Sequence, residues 1–317
     1  MRPWLRPEVA LWRRLAYWGA RYGPWPWLRY SPPLFGLLFA VWLDTERRAV
    51  RANLRLVLGR RPAAREAWDV ACTFMNFAKC LAEGLAAERP EVGDAPCRVV
   101  GIERLREAID GRKGVILVTA HVGPWDAAAR LLVKDARVPV KLVMAKEPDP
   151  VARELQDRLR SRFGVEVVHV GDSAFDSLPV LRHLRTGGAV ALQLDRALAG
   201  ARAIRVELFG APFHFPEGPF RLAALSGAPV LPVFARRRAF ADYELSLGRA
   251  ILLPRRPSST ELANAAERVA GELETFLRAN ITQWFHFERV GDAEPGTSPK
   301  GDAVEANPER KAGAGLA

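Results

Sequence analysis

From about residue 99 onward, short apolar runs rich in β-branched residues alternate with segments of helical period. The apolar runs are GVILVTA, VPVKLVMA, VEVVHVG and GAVALQLD, and the helical segments between them are PWDAAARLLV, DPVARELQDRLRSRFG and SLPVLRHLRTG. Strands that alternate with helices are typical of an α/β fold, in which helices lie on the faces of a sheet. The pattern therefore predicts a mixed central sheet flanked by helices.

The segments on either side of this alternation set the expected domain limits. Two further strands, AIRVELFG and APVLPVFAR, are predicted to flank FPEGPFRLAALSG, and a strand YELSLG and a helix over residues 260–278 follow. Upstream, DTERRAVRANLRLVLG predicts a helix with a capping start at Asp44, and REAWDVACTFMNFAKCLAEGLA predicts a second helix. We expect one domain over residues 44–290. The polar segment 291–317, rich in glycine, proline and alanine, is predicted to be a disordered tail.

Residues 1–43 have a different character. Six of the nine tryptophans lie in residues 1–42, interleaved with six arginines. Tryptophan prefers the interface between lipid and water, and arginine is attracted to anionic lipid headgroups. The apolar run from Pro33 to Leu43 is shorter than the roughly 20 residues that a spanning helix needs. We therefore expect a helical, membrane-associating segment, with a single span or a helical hairpin packed on the domain as alternatives.

Composition narrows the choice of partner and compartment. The chain has 317 residues, 49% of them hydrophobic, and a formal net charge of +11, which favours anionic partners. Phospholipid headgroups and an acidic carrier protein fit this charge, whereas no helix-turn-helix, finger or RNA-recognition pattern supports nucleic acid. The three cysteines form no CxxC pair, so a zinc site or disulfide framework is not expected, and a reducing compartment fits best. No small-residue cleavage site follows a clean apolar core, so no cleaved signal peptide is expected.

The stretch TAHVGPWDAA places a histidine where an apolar strand ends. Asp126 follows His121 at a spacing of five, after Gly123 and Pro124 bend the chain. A histidine can remove a proton from a hydroxyl near neutral pH, and a nearby carboxylate can orient its ring. His121 and Asp126 are thus a candidate catalytic pair, although a histidine in this position is more often a structural hydrogen-bonding group.

The second candidate site is the FPEG stretch, which opens a helix between two strands. The free N–H groups of a helix N-terminus suit an anion, and Arg221, one turn further on, can add a charge-assisted hydrogen bond to phosphate. The alternative is that Gly218 and its flanking prolines only form a turn and that Glu217 caps the helix.

In their order along the chain, these stretches resemble the lysophospholipid acyltransferase superfamily, whose first block is H-x4-D/E and whose third is FPEG. HVGPWD, GPFRLAALSGAPVLPVF and ERRAVRANLRLVLG are most similar to the branch of bacterial lipid A lauroyl and myristoyl acyltransferases. The resemblance covers roughly residues 40–290. It implies the glycerolipid acyltransferase-like fold and transfer of a fatty acyl group from acyl carrier protein or coenzyme A to a lipid hydroxyl.

The same resemblance implies roles for individual residues. His121 is the expected general base and Asp126 its partner. The residues expected to bind substrate are Glu217, Gly218 and Arg221, together with Asp195 and Arg196 from the segment QLDRALAGARAIRVELFG. No metal or redox cofactor is implied, and the expected location is the cytoplasmic face of the inner membrane.

The sequence leaves more than one acceptor and more than one reaction class open. Pro124 and Asp126 stand where the lipid A enzymes usually have asparagine and glutamate, and FPEG is closer to the glycerolipid enzymes, so a lipid A-type precursor and a lysophospholipid both fit. A lipid-binding protein that retains the fold without catalysis is the alternative from another class. An esterase or thioesterase that uses His121 would need a G-x-S-x-G elbow, and the sequence has none. His214 is a further candidate for the site, whereas His169, His183 and His286 are interpreted as structural.

Overall fold

A computed structural model of the protein describes residues 10–111, 113–126, 128, 139–145, 150–170, 177–196 and 201–291. The predicted tail after residue 291 and most of the predicted helix PWDAAARLLV lie outside these residues. Residues 10–93 contain helices and no strand: α1 (Ala10–Tyr22), α2 (Trp25–Tyr30), α3 (Pro32–Trp42), α4 (Asp44–Leu58), α5 (Ala63–Leu85) and the single turn α6 (Pro90–Gly93). Strands and helices then follow one another along the rest of the chain.

The strands of this second part are β1 (Cys97–Val100), β2 (Val115–Thr119), β3 (Val140–Ala145), β4 (Val165–Val170), β5 (Ala189–Gln193), β6 (Ala203–Leu208), β7 (Ala211–Pro216), β8 (Val230–Ala239) and β9 (Asp242–Leu247). The helices are α7 (Ile102–Asp110), α8 (Pro150–Ser161), α9 (Leu178–Arg185), α10 (Gly218–Ser226) and α11 (Ser259–Asn280), followed by a 3-10 turn (Ile281–Gln283). The alternation of strands and helices expected from the sequence is confirmed.

Seven of these strands form one sheet in the order β1-β9-β8-β2-β5-β3-β4. β8, β2, β5, β3 and β4 are parallel, and β9 turns back antiparallel to β8 with β1 parallel to it. Sheets of mainly parallel strands are covered on both faces, so side chains on both sides of a strand are apolar. The uninterrupted apolar run VILVT of β2 follows from this. One face of the sheet packs under α11 and the β6–β7 hairpin, and the other packs under α7. The mixed central sheet flanked by helices is therefore confirmed.

The β6–β7 hairpin corrects one sequence expectation. FPEG was expected to lie between two strands, but its Phe215 and Pro216 belong to β7, which pairs antiparallel with β6. The strand was hidden because Pro212 and Pro216 interrupt its apolar pattern. These prolines are tolerated because the hairpin is only two strands wide and has open edges. The helix that FPEG was expected to open does begin, at Gly218.

The helix α3 buries one face and exposes the other. Pro32, Gly36 and Ala40 face inward, and a Cβ at Gly36 would lie only 2.6 Å from the backbone oxygen of Phe74 in α5. Glycine at this position therefore allows the two helices to pack in close contact. The outward face is also apolar, with exposed side chains at Leu34, Phe35, Leu37, Leu38, Val41 and Trp42. Among the described residues, no helix is both long and apolar enough to span a bilayer.

Candidate active site

His121 and Asp195 come from neighbouring strands of the sheet. β2 and β5 are parallel, with Thr119 opposite Gln193 at their carboxyl ends. His121 follows β2 by two residues and Asp195 follows β5 by two residues, so both reach the same edge of the sheet. Because the carboxyl ends of parallel strands are a frequent location of ligand sites, this edge of the sheet is the candidate active site.

The carboxylate of Asp195 binds both the ring and the backbone of His121. Its Oδ1 lies 2.8 Å from Nδ1 of His121, and its Oδ2 accepts a hydrogen bond from the backbone N–H of His121 at 2.9 Å. The indole N–H of Trp284 also donates to Oδ2, at 3.2 Å. Asp195 is only 1% exposed, so these donors take the place of water around its charge.

The charge of Asp195 is stabilised by this arrangement. Burial alone would raise the pKa of Asp195, but attraction to His121 and the hydrogen bond from its ring outweigh burial and hold that pKa well below its ordinary value. Asp195 is therefore ionised at physiological pH, and a carboxylate only accepts hydrogen bonds, so Nδ1 is the nitrogen that carries the proton whenever the His121 ring is neutral. The lone pair then lies on Nε2, which is the atom able to take a proton from a substrate.

The loop that carries His121 is hydrogen-bonded to the segment that follows α11. The N–H of Phe285 donates to the carbonyl of His121, and the N–H of Gly123 donates to the carbonyl of Gln283, each at 2.8 Å. Gly123 has φ +51°, and a Cβ there would lie 2.3 Å from the backbone oxygen of Ala235. Glycine is needed at this position because a side chain has no room against β8.

These contacts engage the backbone N–H groups of three successive loop residues, 121–123. The N–H of His121 binds Asp195, that of Val122 binds the carbonyl of Ala120, and that of Gly123 binds Gln283. Nε2 of Gln193, two residues before Asp195, is a buried side-chain donor that has no hydrogen-bond partner among the described residues. A developing negative charge beside His121 would therefore have to be met by a side chain or by an N–H group elsewhere.

Asp126 does not make the contact with His121 that was expected. It lies in a helical turn that begins at Trp125, and its carboxylate pairs with Nε of Arg160 in α8 at 2.9 Å. The Arg160 guanidinium lies 5.8 Å from the centre of the Trp125 ring, and that ring meets the His121 ring edge to face at 5.7 Å. The turn at Gly123 and Pro124 directs Asp126 toward α8, so the described contacts connect it to the histidine through Arg160 and Trp125.

The expected substrate-binding residues fall into two groups. Asp195, predicted from the sequence to bind substrate, is buried against His121, and the exposed Arg196 donates to the carbonyl of Phe285 at 3.3 Å. Glu217 and Arg221 pair with each other at 2.7 Å, one helical turn apart, with Arg221 about half exposed. Gly218 begins α10 and is exposed, and the Glu217 side chain makes no capping hydrogen bond.

The topology brings this second group to the edge where His121 lies. α10 leads into β8, which is parallel to β2, so the helix runs back along the sheet and its N-terminus lies at the carboxyl edge. Phe213 of the preceding β7 strand packs against His286, which in turn stacks on Trp284. The FPEG turn thus borders the same side of the molecule as the histidine, without touching it in any described contact.

A sequence model of the bacterial lipid A biosynthesis acyltransferases matches residues 9–290. The chain belongs to this family. Among curated relatives, the phosphatidylinositol mannoside acyltransferase of Mycolicibacterium smegmatis is 26% identical over 188 residues, which cover 58% of this chain and 61% of the relative. The enzyme of the same name from Mycobacterium tuberculosis is 27% identical, over 58% and 59% of the two chains. A lipid A biosynthesis acyltransferase of Haemophilus influenzae is 25% identical over 179 residues, 56% of this chain and 54% of the relative. The matched part thus spans about three fifths or less of each of these relatives.

Two residues that bind carboxylates at this site could not be predicted from the sequence. Trp284 and Arg160 are 89 and 34 residues away from the carboxylates that they bind, and no motif marks either residue. His169, interpreted from the sequence as structural, has its Nε2 2.8 Å from Asp157 Oδ2. His286 is buried against aromatic rings, as expected from its aromatic surroundings. Within the described part of the chain, no group of three or more His, Cys, Asp or Glu side chains could hold a metal ion.

Proposed function

We propose that this protein is an O-acyltransferase that moves a fatty acyl group from a thioester donor to a hydroxyl of a membrane lipid. The observation that carries the proposal is the hydrogen bond between a buried, ionised Asp195 and Nδ1 of His121. It leaves Nε2 of the ring as a base and provides a carboxylate to stabilise the imidazolium that forms. Membership of the acyltransferase family favours acyl transfer among the reactions that such a pair can perform.

In the proposed reaction, Nε2 of His121 removes the proton of the acceptor hydroxyl as its oxygen attacks the thioester carbonyl. A tetrahedral intermediate forms, with one new C–O bond and a negative charge on the former carbonyl oxygen. The C–S bond then breaks, the oxyanion collapses to an ester, and the imidazolium returns its proton to the leaving thiolate. The products are an acyl ester and a free thiol, and His121 is neutral again.

The oxyanion of this intermediate requires a hydrogen-bond donor. Because the backbone N–H groups of residues 121–123 are engaged, we assign this role to the side-chain amide of Gln193. Its Nε2 is buried and has no partner in the part of the chain that the structure describes, and the residue ends β5, two positions before Asp195. A fixed donor in a site shielded from water stabilises a developing charge much more than the same donor does in water.

The acceptor that we propose is an anionic glycolipid. The names of the relatives point to phosphatidylinositol mannosides and lipid A, both of them phosphorylated glycolipids. Exposed Arg196 and Arg221, with the Glu217–Gly218 turn, lie on the side of the molecule where such a headgroup would approach His121. The donor is acyl carrier protein or acyl-coenzyme A, which are both anionic and suit a chain of net charge +11.

We also propose that α1, α2 and α3 hold the protein at the cytoplasmic face of the inner membrane. Their exposed apolar residues include Leu15, Trp18, Trp25, Trp27, Leu34, Leu38 and Val41. Arg29 stacks on Trp25 at 5.1 Å and on Phe240 at 5.6 Å, which ties α2 to the domain that carries the site. Many exposed apolar side chains on neighbouring helices are typical of a surface that contacts another protein or a membrane.

Making the outward face of α3 polar is expected to release the protein from vesicles. A variant with Leu34, Leu38 and Val41 each changed to Gln loses about 1 kcal/mol or more of apolar transfer free energy per residue. Its partitioning onto anionic vesicles should therefore fall by roughly 100-fold or more. In flotation assays the wild-type protein should bind less in 1 M than in 0.1 M salt, yet stay partly bound, because salt screens the arginines and not the apolar term.

The matched control changes Leu225 and Leu252 to Gln. Both are at least as exposed as most of the α3 residues but lie elsewhere on the fold. This control should float like the wild type. Equal flotation of the α3 variant and the wild type, or complete release of the wild type by salt, would contradict the assignment of this face to the membrane.

The catalytic proposal is tested by mixing the purified protein with palmitoyl-coenzyme A or palmitoyl acyl carrier protein and three acceptors in separate reactions. The acceptors are a phosphatidylinositol mannoside, a lipid A precursor and a lysophospholipid. Thiol release and ester formation are followed together by thiol titration and mass spectrometry. We expect equal amounts of thiol and ester with at least one glycolipid acceptor. Thiol release without an ester would indicate a thioesterase, and neither product in any mixture would support the non-catalytic alternative.

A further inference from the structure

The proposed reaction gives a role to both residues of the His121–Asp195 pair and none to Trp284, which binds the same carboxylate. This tryptophan is 3% exposed and lies on the segment that pairs with the His121 loop, through an antiparallel bridge between Trp284 and Val122. Its indole N–H donates to Oδ2 of Asp195 at 3.2 Å. The residue therefore contacts the loop through its backbone and the carboxylate through its side chain.

The donors around Asp195 are not equivalent. Two of the three described hydrogen bonds come from His121 itself, one from its ring and one from its backbone. Trp284 supplies the third, from an element that does not carry the base. A carboxylate can rotate about its Cβ–Cγ bond, and a donor outside the pair adds a restraint on its plane that does not depend on the position of the histidine.

The indole is itself held by His286. The two rings are stacked, with centroids 5.1 Å apart and an angle of 14° between them, and Phe213 closes the other side of His286 edge to face at 5.5 Å. The carbonyl of His286 accepts a hydrogen bond from Asn53 in α4 at 3.1 Å. Burial lowers the pKa of His286. Attraction to Asp195 raises this pKa and repulsion by Arg196 lowers it further, but burial is the largest effect, so the ring is neutral at physiological pH. A neutral ring adds no second positive charge to compete with His121 for Asp195.

We propose that Trp284 is a positioning residue of the catalytic pair, which fixes the Asp195 carboxylate through its indole N–H and thereby sets how readily His121 takes a proton. The inference rests on the proposed function for its kinetic consequence, and on the described hydrogen bonds alone for its structural part. Trp284 touches neither the donor nor the acceptor in this scheme.

The test replaces Trp284 with β-(3-benzothienyl)alanine, which keeps the bicyclic shape and puts sulfur in place of the N–H group. Without this hydrogen bond the carboxylate charge attracts the imidazolium more strongly, so the acid limb of kcat/KM should move upward by about 0.5 pH unit. Looser positioning should lower kcat roughly 10-fold while KM changes little. Trp284→Phe should show the same pH shift with an additional loss of thermal stability from the smaller ring. Trp68→Phe, on an exposed face of α5, is the matched control and should change none of these values.

A spectroscopic measurement separates this inference from the proposed function. The Nδ1 proton of His121 bound to a buried carboxylate gives a low-field proton NMR signal, which is assigned by its loss in His121→Gln. The benzothienyl variant should shift or broaden this signal even if no acyl acceptor is found. An unchanged signal overturns the inference whatever the activity. In an active enzyme, an unchanged acid limb and kcat overturn it as well.

Discussion

Changing Asp195 to asparagine is expected to lower kcat by roughly 10²–10⁴-fold, although the side chain keeps its size. Oδ2 of Asp195 accepts hydrogen bonds from the His121 backbone N–H and the Trp284 indole, so the asparagine carbonyl oxygen must take this place. The asparagine NH₂ group then faces Nδ1 of His121 and forces that nitrogen to accept a hydrogen bond. The ring proton moves to Nε2, where the base is needed, and the charge that stabilises the imidazolium is lost. Initial rates of ester formation measure the effect, and a thermal melt of each protein checks that the fold is retained.

Asp126→Asn is the matched control for this prediction. Its carboxylate pairs with Arg160 and not with His121, so the substitution leaves the Nδ1 hydrogen bond in place. We expect a loss of turnover through the looser packing of Arg160 on Trp125, and a smaller one than Asp195→Asn produces. If Asp126→Asn were as inactive as His121→Ala while Asp195→Asn retained wild-type turnover, the pairing assigned here would be wrong.

Changing His121 to alanine is expected to abolish acyl transfer to within the background rate. The variant has no group to remove the proton of the acceptor hydroxyl, and general base catalysis contributes about 10²–10⁴-fold, roughly 3–5 kcal/mol of activation free energy. The substitution also removes the ring hydrogen bond of Asp195, a buried charge that then keeps two described donors out of three. We therefore expect lower stability near neutral pH, by about 1–3 kcal/mol.

His121→Gln separates the two consequences. A glutamine amide can still donate a hydrogen bond to Asp195, but it cannot act as a base at physiological pH. The glutamine variant should be as inactive as the alanine variant and closer to the wild type in its melting temperature. Near wild-type transfer by either variant would exclude His121 as the base.

The alternation of apolar and amphipathic segments was sufficient to predict the α/β fold and the place of His121 at a strand end. It could not give the order of the strands, because each buried strand reads as a similar apolar run. That order decides the site. β5 lies beside β2, which puts Asp195 next to His121 across 74 residues of chain, whereas Asp126, much closer in sequence, points to α8. Spacing along the chain was therefore a poor guide to which carboxylate meets the ring.

The C-terminal segment shows a second limit of the sequence reading. QWFHFERV has an aromatic pattern typical of core packing, and His286 and Phe285 do pack in the core. The indole N–H of Trp284 reaches Asp195 because the chain after α11 returns to the His121 loop at Val122, and the sequence does not show this return. The FPEG turn was easier to predict, since glycine and proline fix the start of α10 locally. Its distance from the base depends on how α10 packs on the sheet, which local sequence does not determine.

The most direct test of the account is kcat/KM against pH for the wild type, Asp195→Asn and Asp126→Asn, measured with the same thioester donor and glycolipid acceptor. In the wild type, the acid limb should follow protonation of His121. Asp126→Asn should keep the limb at the same pH. Asp195→Asn should move the limb of its residual activity to lower pH, because the imidazolium has lost its carboxylate. A limb that moves with Asp126→Asn and stays in place with Asp195→Asn would contradict the central claim that His121 and Asp195 form the catalytic pair.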